Sequence, residues 1–178
     1  FNSSGTSNVA IGYKCLEGET DAYTETSRNV AIGYQCGQFI GSEATNNVLI
    51  GYECAKASTG TGEFVGDNNT YIGYQCGLLN TYGSDNVAIG NQCLQANVSG
   101  ISNVAIGNEC LMNSTDSRNS VIIGKDCFNG FVTDPRPNYV GNNLSSDNLS
   151  SAYQGLKSRQ NVFIGVECSK FYVRNQFE

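Results

Sequence analysis

The stretch NVAIGYQCG at residues 29–37 decides the fold, because near copies of it recur along the whole chain. The other copies lie at 8–16, 47–55, 69–77, 86–94, 103–111, 120–128 and 161–169. Their glycines are most often 17 residues apart. Between the last two copies, NYVGNNL places Gly141 17 residues after Gly124, with Leu144 at the cysteine position. We therefore count 137–145 as a degenerate ninth unit.

The length and pattern of this unit predict an all-β fold, a parallel β-solenoid of about nine coils. Val and Ile two residues apart share one face of an extended segment, and β-branched residues favour a strand. A unit of this length is too short for a helical hairpin, but it suits one coil, stacked about 4.8 Å from the next. We expect residues 1–178 to form one domain, with insertions at 17–27, 57–68 and 129–160.

The columns formed by stacked units predict which residues are buried. We expect the unvarying isoleucines to line the narrow interior: Ile11, Ile32, Ile50, Ile72, Ile89, Ile106, Ile123 and Ile164. The residue before each isoleucine should then face away, yet this column contains no charge. A strand that is apolar on both faces is normally covered on both. We expect other copies of the same chain to cover the second face.

Two further columns predict backbone structure. Asn begins seven of the eight good units, and stacked amides can hydrogen-bond along the axis as a ladder. Glycine follows each isoleucine, which indicates a corner that needs a positive φ or leaves no room for a Cβ.

The repeated NVAIG units resemble the head repeats of trimeric autotransporter adhesins, and similar units occur in phage and virus tail-fibre proteins. The resemblance covers about residues 7–169. It implies a left-handed parallel β-roll in which three chains pack around a threefold axis as a homotrimer. The chain departs from that pattern in its longer period, near 17, and in the cysteine that replaces a small residue after the glycine.

The cysteines all lie three residues after a motif glycine: Cys15, Cys36, Cys54, Cys76, Cys93, Cys110, Cys127 and Cys168. No paired spacing such as CxxC occurs, so we expect no metal site. Two interpretations remain, a column of buried free thiols that fill the core or disulfides between neighbouring coils. Seven consecutive coils cannot pair completely and the Leu144 unit isolates Cys168, so we favour free thiols.

Candidate ligand-binding residues are exposed tyrosines and the insertions. Tyr13, Tyr34, Tyr52 and Tyr74 follow the first four glycines. They form either a stacking platform for sugar rings or, as we favour, packing between adjacent turns. The insertions are either recognition loops on a rigid scaffold or tolerated surface length.

Composition narrows the classes of function. The chain has a net charge of −6, only 10 Lys and Arg and no basic run, which makes nucleic acid a poor partner. No apolar stretch reaches the ~20 residues that span a bilayer, so we expect no membrane insertion of this segment. The chain contains no His, the commonest general base. We therefore expect no enzymatic activity and no cofactor.

These observations favour a non-enzymatic fibrous surface protein, an adhesin or viral or phage attachment-fibre module that presents loops to a host or other surface. Its expected partners are two further copies of the chain and a glycan or protein receptor. Its expected location is extracellular, on a cell or virion surface. The alternative hypothesis is a structural extracellular filament built by end-to-end stacking of coils. Because the chain begins without Met, we expect a processed protein or part of a longer one.

Overall fold

The structure, a computed structural model, describes residues 5–18, 26–41, 43–57, 65–128 and 162–166. These ranges contain eight strands and no helix: β1 (Val9–Tyr13), β2 (Val30–Tyr34), β3 (Val48–Tyr52), β4 (Thr70–Tyr74), β5 (Val87–Asn91), β6 (Val104–Asn108), β7 (Val121–Lys125) and β8 (Val162–Val166). All eight form one parallel sheet in chain order. The predicted all-β parallel solenoid is confirmed. No membrane-spanning helix is found in the described part of the chain.

Successive strands pair residue for residue at equivalent motif positions, so that Ile32 pairs with Ile50 and Gly33 with Gly51. The glycine column confirms both reasons predicted for it. Gly33 has a φ of +135°, which L residues rarely adopt, and a Cβ built there would overlap the carbonyl oxygen of Gly51. The corner that ends each strand therefore excludes any side chain.

The predicted assignment of the two sheet faces is wrong. The isoleucine column is half-buried or exposed and does not line the core: Ile11, Ile32, Ile50, Ile72, Ile89, Ile106, Ile123 and Ile164. The interior is instead lined by the preceding column, in which the residues of six consecutive coils are 0% exposed: Ala31, Leu49, Tyr71, Ala88, Ala105 and Ile122. Strand alternation explains the reversal, because Asn29 is also buried and lies two residues before Ala31. A buried Asn forces Val30 and Ile32 outward.

Side-chain size varies along the inner column because a second core column compensates for it. This second column is the residue after each cysteine. We number each coil after its strand, so that coil 4 contains β4. Coil 4 combines Tyr71 with Gly77, where an added Cβ would overlap the tyrosine ring. Coil 5 combines Ala88 with Leu94, and both side chains are fully buried. On these two coils a large residue faces a small one, whereas on coil 2 both Ala31 and Gly37 are small and side chains of the neighbouring coils, Leu16 and Leu49, lie against Gly37.

The predicted asparagine ladder is confirmed, and its members from Asn29 to Asn103 are fully buried. The Oδ1 of Asn69 accepts hydrogen bonds from the backbone N–H of Asn86 (3.0 Å) and from its Nδ2 (3.2 Å). The same Nδ2 donates to the carbonyl oxygen of Gly100 at 2.8 Å. Equivalent bonds link Asn29 to Asn47 and Asn86 to Asn103. Each amide thus joins two coils and a distant turn without leaving a buried polar group unpaired.

The degenerate ninth coil does not contribute a strand between its neighbours. β7 pairs directly with β8, with Gly124 opposite Gly165, so no strand from 137–145 separates them. Residues 129–160, which include that unit, lie outside the described residues, as does most of the insertions 17–27 and 57–68. The argument that the Leu144 coil isolates Cys168 therefore fails, because the strand before Cys168 stacks on the strand before Cys127.

Candidate functional site

An apolar stripe runs along the outside of the sheet. We call it the outer face, defined by the first and third residues of β1 to β8, which are Val and Ile in every strand except β4, where Thr70 replaces Val. In β2 to β7 both columns are half-buried, whereas Val9 and Ile11 in β1 are 44% and 57% exposed. β-branched side chains in two parallel rows make a mainly hydrophobic surface, in which Thr70 is the polar member of the described strands. The sequence predicted such an uncovered apolar face but assigned it to the wrong column.

A tyrosine ladder borders the outer face, since the tyrosine side chain points to the same side as Val and Ile. The rings of Tyr13, Tyr34, Tyr52 and Tyr74 stack at centroid distances of 5.1–5.3 Å, with interplanar angles of 8–18°. Each inner ring therefore has both faces covered by its neighbours. The ladder offers ring edges and hydroxyl groups along its length, so a sugar ring finds no free aromatic face on Tyr34 or Tyr52.

The seven described cysteines form an internal column of free thiols, six of them buried. The Cys36 thiol donates to the carbonyl oxygen of Gly51 on the next coil at 2.9 Å and lies 3.3 Å from the Ile32 carbonyl oxygen. The pattern repeats at each coil down to Cys127, whose Sγ lies 3.0 Å from the Gly165 carbonyl oxygen. The thiols thus satisfy carbonyl groups at the glycine corner. Cys168 lies outside the described residues.

Neighbouring thiols influence one another's protonation. The hydrogen bond with Cys36, followed by burial, raises the pKa of Cys54, while the same contact lowers the pKa of Cys36 to about 7. At Cys93 a hydrogen bond from Cys110 favours the thiolate, but the contact with Cys76 and burial outweigh it and raise the pKa to about 12. The column therefore titrates as a coupled set. No group of metal-binding side chains is found within the described ranges.

A surface groove of about 380 Å³ lies beside the tyrosine ladder, on coils 2 to 4. Its lining consists of Gln35, Gln38, Phe39, Glu53, Lys56, Ala57, Leu78 and Leu79. The groove has a simple cause in the sequence. The third residue after cysteine is Phe39 on coil 2, Ala57 on coil 3 and Leu79 on coil 4. A small residue between two large ones leaves a notch, here about one coil wide.

The polar side chains of the groove are held in fixed positions. Glu53 accepts a hydrogen bond from Lys56 Nζ (2.7 Å) on one oxygen and from Gln75 Nε2 (2.8 Å) on the other. Burial opposes ionisation of Glu53, but these two hydrogen bonds outweigh it and lower its pKa. Gln38 Nε2 donates to Glu17 Oε2 at 2.7 Å. The carboxylates are therefore ionised, oriented and paired at neutral pH.

The Gln38 amide contains an unsatisfied group. Gln38 is only 3% exposed, and its Oε1 is a buried side-chain acceptor without a hydrogen-bond donor in the described structure. Because Glu17 fixes the donor end of the amide, rotation of the amide by 180° would not relieve this. The Oε1 atom is itself shielded from solvent, so it is an unsatisfied acceptor inside the chain and not a group open to the groove.

Sequence reasoning identified the tyrosines but missed the groove. It assigned no role to the lining residues Gln35, Gln38, Phe39, Glu53 and Lys56. The available signal was the order of sizes Phe39, Ala57, Leu79 at one repeat position, but its meaning depends on knowing that this position faces outward.

Comparison of the chain with models of known protein families, with characterised proteins and with solved structures found no match.

Proposed function

We propose that this chain is a module of a non-enzymatic surface fibre, an adhesin or a viral or phage attachment fibre that presents loops to another surface. The observation that carries this proposal is the outer face. Its isoleucine column is identical in all eight strands although the interior does not require it. A repeated apolar stripe with no packing role inside its own chain favours contact with identical stripes.

A homotrimer is the assembly that we propose for this contact. Three parallel rods placed with their outer faces toward a common axis bury Ile from every described strand and Val from all of them except β4, and leave the opposite sides free. The insertions at 17–27 and 57–68 begin in the turns after the cysteines of coils 1 and 3, away from the outer face. The points where these insertions leave the described coils therefore stay outside the proposed contact, which suits a fibre at a cell or virion surface.

Light scattering of the purified chain tests the assembly. We expect a mass about three times that of the 19.0 kDa chain, and the same mass for Gln92→Lys, a substitution away from the outer face. A monodisperse monomer at micromolar concentration would contradict the proposal.

A second candidate function is a structural extracellular filament. One observation favours it, which is that β1 is the first strand of the sheet and all five of its residues are exposed. An unpaired strand edge can pair with the last coil of another molecule. Electron micrographs of concentrated protein distinguish the two, because end-to-end stacking gives rods of increasing length whereas a trimer gives particles of one length.

A further inference from the structure

We propose that Asn68, in the turn before β4, is the acceptor of an N-linked glycan. This proposal rests on the proposed extracellular location, since the modification belongs to secreted proteins. Residues 68–70 read Asn-Asn-Thr, which is the acceptor motif Asn-X-Ser/Thr. The described residues contain two more such motifs, at Asn97 and Asn113, and the fold separates the three sites.

The Thr70 hydroxyl, which completes the motif, has no role in the solenoid itself. The other seven strands have Val at this position of the outer face. Within the described residues the Thr70 hydroxyl forms no hydrogen bond. Asn46 occupies the repeat position of Asn68 on coil 3, but Val48 follows it two residues later, so Asn46 is no acceptor. The one strand that lacks Val is therefore the one in which the replacement completes an acceptor motif at this turn.

The Asn68 side chain can accept a glycan without losing its hydrogen bond. Asn68 is exposed, and its φ of +57° is a left-handed conformation that Asn tolerates in turns. Its Nδ2 donates to Asp85 Oδ1 on the next coil at 3.1 Å. A side-chain amide has two donor protons, so one can be replaced while the other keeps this bond.

Asn97, by contrast, has no room for a glycan in the folded chain. It is 0% exposed, its Oδ1 accepts from the Gly100 backbone N–H at 3.0 Å, and its Nδ2 donates to the Gly100 carbonyl oxygen at 3.3 Å. Even a Cβ built on Gly83 would lie only 2.8 Å from this Nδ2. Asn113 is half-buried. Of the three acceptor motifs in the described ranges, only Asn68 has an exposed Asn.

The transfer needs a lipid-linked pyrophosphate oligosaccharide as the sugar donor and the oligosaccharyltransferase of the secretory pathway. A bond forms between Asn68 Nδ2 and the anomeric carbon of the first sugar, and the bond from that carbon to the pyrophosphate oxygen breaks. The lipid pyrophosphate leaves with the electron pair, and Nδ2 releases one proton. The product amide keeps one N–H for Asp85.

The position of Asn68 suits the proposed contact between chains. The glycan would be attached two residues before Thr70, the polar member of the outer face. A hydrophilic group attached at coil 4 therefore displaces less apolar contact than it would next to a coil with Val at this position.

Peptide mass spectrometry of the full chain secreted from cultured mammalian cells tests the proposal. Enzymatic release of N-glycans converts each modified Asn to Asp, and release in heavy-oxygen water separates this conversion from spontaneous deamidation. We expect conversion at Asn68 in most molecules and none at Asn97 in the folded chain. An unmodified Asn68, or a modified Asn97 in a folded chain, overturns the proposal.

Three variants test the motif and its position. Thr70→Val gives β4 the residue of the other strands, and we expect a folded chain without the Asn68 glycan. Thr70→Ser keeps the motif and should keep the glycan. Val48→Thr completes the motif at Asn46, which is also exposed, and should add a glycan there. A glycan at Asn68 in Thr70→Val, or none at Asn46 in Val48→Thr, contradicts the assignment, and circular dichroism shows that each variant has folded.

The failure of this proposal is separable from that of the fibre. Chain produced in the bacterial cytoplasm lacks the glycan, so its light scattering measures assembly alone. A trimer from bacteria whose secreted form has an unmodified Asn68 overturns the glycan proposal alone. A monomer whose secreted form carries the Asn68 glycan overturns the fibre assembly alone.

Discussion

The two faces of the sheet differ in a way that reverses the usual relation between burial and invariance. On the inside, the fully buried column changes from Ala31 to Leu49 to Tyr71 and back to Ala88. On the outside, the half-exposed column is Ile in every strand. Inner residues vary because a second column across the core, such as Gly77 opposite Tyr71, adjusts in size. The core therefore requires a filled volume, shared within a coil or with its neighbours, and not a constant residue.

The outer column has no compensating partner in its own chain. Each isoleucine contacts its equivalents above and below in the parallel ladder, so one changed residue interrupts a straight row. An unbroken row of isoleucines along the rod suits contact with another chain over its whole length. The difference between the faces shows how the columns of a repeat protein can be read. A column with the same apolar residue in every repeat can indicate an interface between chains, and a column whose apolar residue varies can indicate the core.

The largest effect that separates the two faces is expected from Ala88→Asp. It places an unpaired carboxylate in a closed interior, and we expect a loss of several kcal/mol that unfolds the rod. The neighbouring Ile89→Asp lies on the outer face and should leave a folded chain while it weakens assembly. Thermal unfolding by circular dichroism, combined with light scattering, measures both. Equal loss of folding in the two variants would contradict our assignment of the faces.

The next largest effect compares two tyrosines of neighbouring coils. Tyr71→Ala removes a fully buried ring and a hydroxyl group that accepts a hydrogen bond from Asn80 Nδ2 (2.8 Å). We expect it to lower the free energy of unfolding by about 3–5 kcal/mol. Tyr52→Ala removes a ring that is 42% exposed in the outer ladder and should cost only about 1 kcal/mol. Urea unfolding of the two variants gives the difference. A larger cost for Tyr52→Ala would mean that the ladder, rather than the interior, holds these coils together.

Compensation across the core is tested by exchanging the side-chain sizes of residues 88 and 94 on coil 5. Leu94→Ala opens a cavity at a cost of about 2–5 kcal/mol, and Ala88→Leu overpacks the interior at a cost of about 1–3 kcal/mol. The double variant recreates the Leu49 and Ala55 combination of coil 3, so we expect it to be more stable than the sum of the single costs by about 1–3 kcal/mol. Strictly additive costs in urea unfolding would show that the two columns do not share one space.

The smallest effect is expected from the thiol column. Cys93→Ala loses one small side chain and its weak hydrogen bond to the Gly107 carbonyl oxygen at 3.3 Å, so we expect a loss of about 1 kcal/mol. A thiol reagent should react slowly with the native chain because the column is buried, and with most of the eight cysteines after denaturation without reductant. A denatured count of two or fewer would show that the coils are joined by disulfides.

The sequence alone was sufficient for the features that repeat. The spacing of the glycines, the β-branched pair and the recurrent Asn predicted the parallel coils, the corner and the amide ladder, because each depends only on equivalent residues lying directly above one another. The ninth coil rested on the same kind of spacing and is not confirmed, since a glycine at the right spacing near Gly141 does not show that its segment joins the sheet, in which β7 pairs directly with β8.

Only the tertiary structure decided which face closes around the interior. Strand alternation places Val30 and Ile32 on one face of the sheet and Ala31 on the other, but it does not show which face is interior. The choice depends on the turns, where burial of Asn29 and Cys36 on the side of Ala31 encloses that side. The groove likewise required the fold, because the alternation of Phe39, Ala57 and Leu79 becomes a notch only when these positions are stacked at the surface. The sequence period determines which residues stack on one another in successive coils, whereas closure of the coil determines which of them lie in the interior.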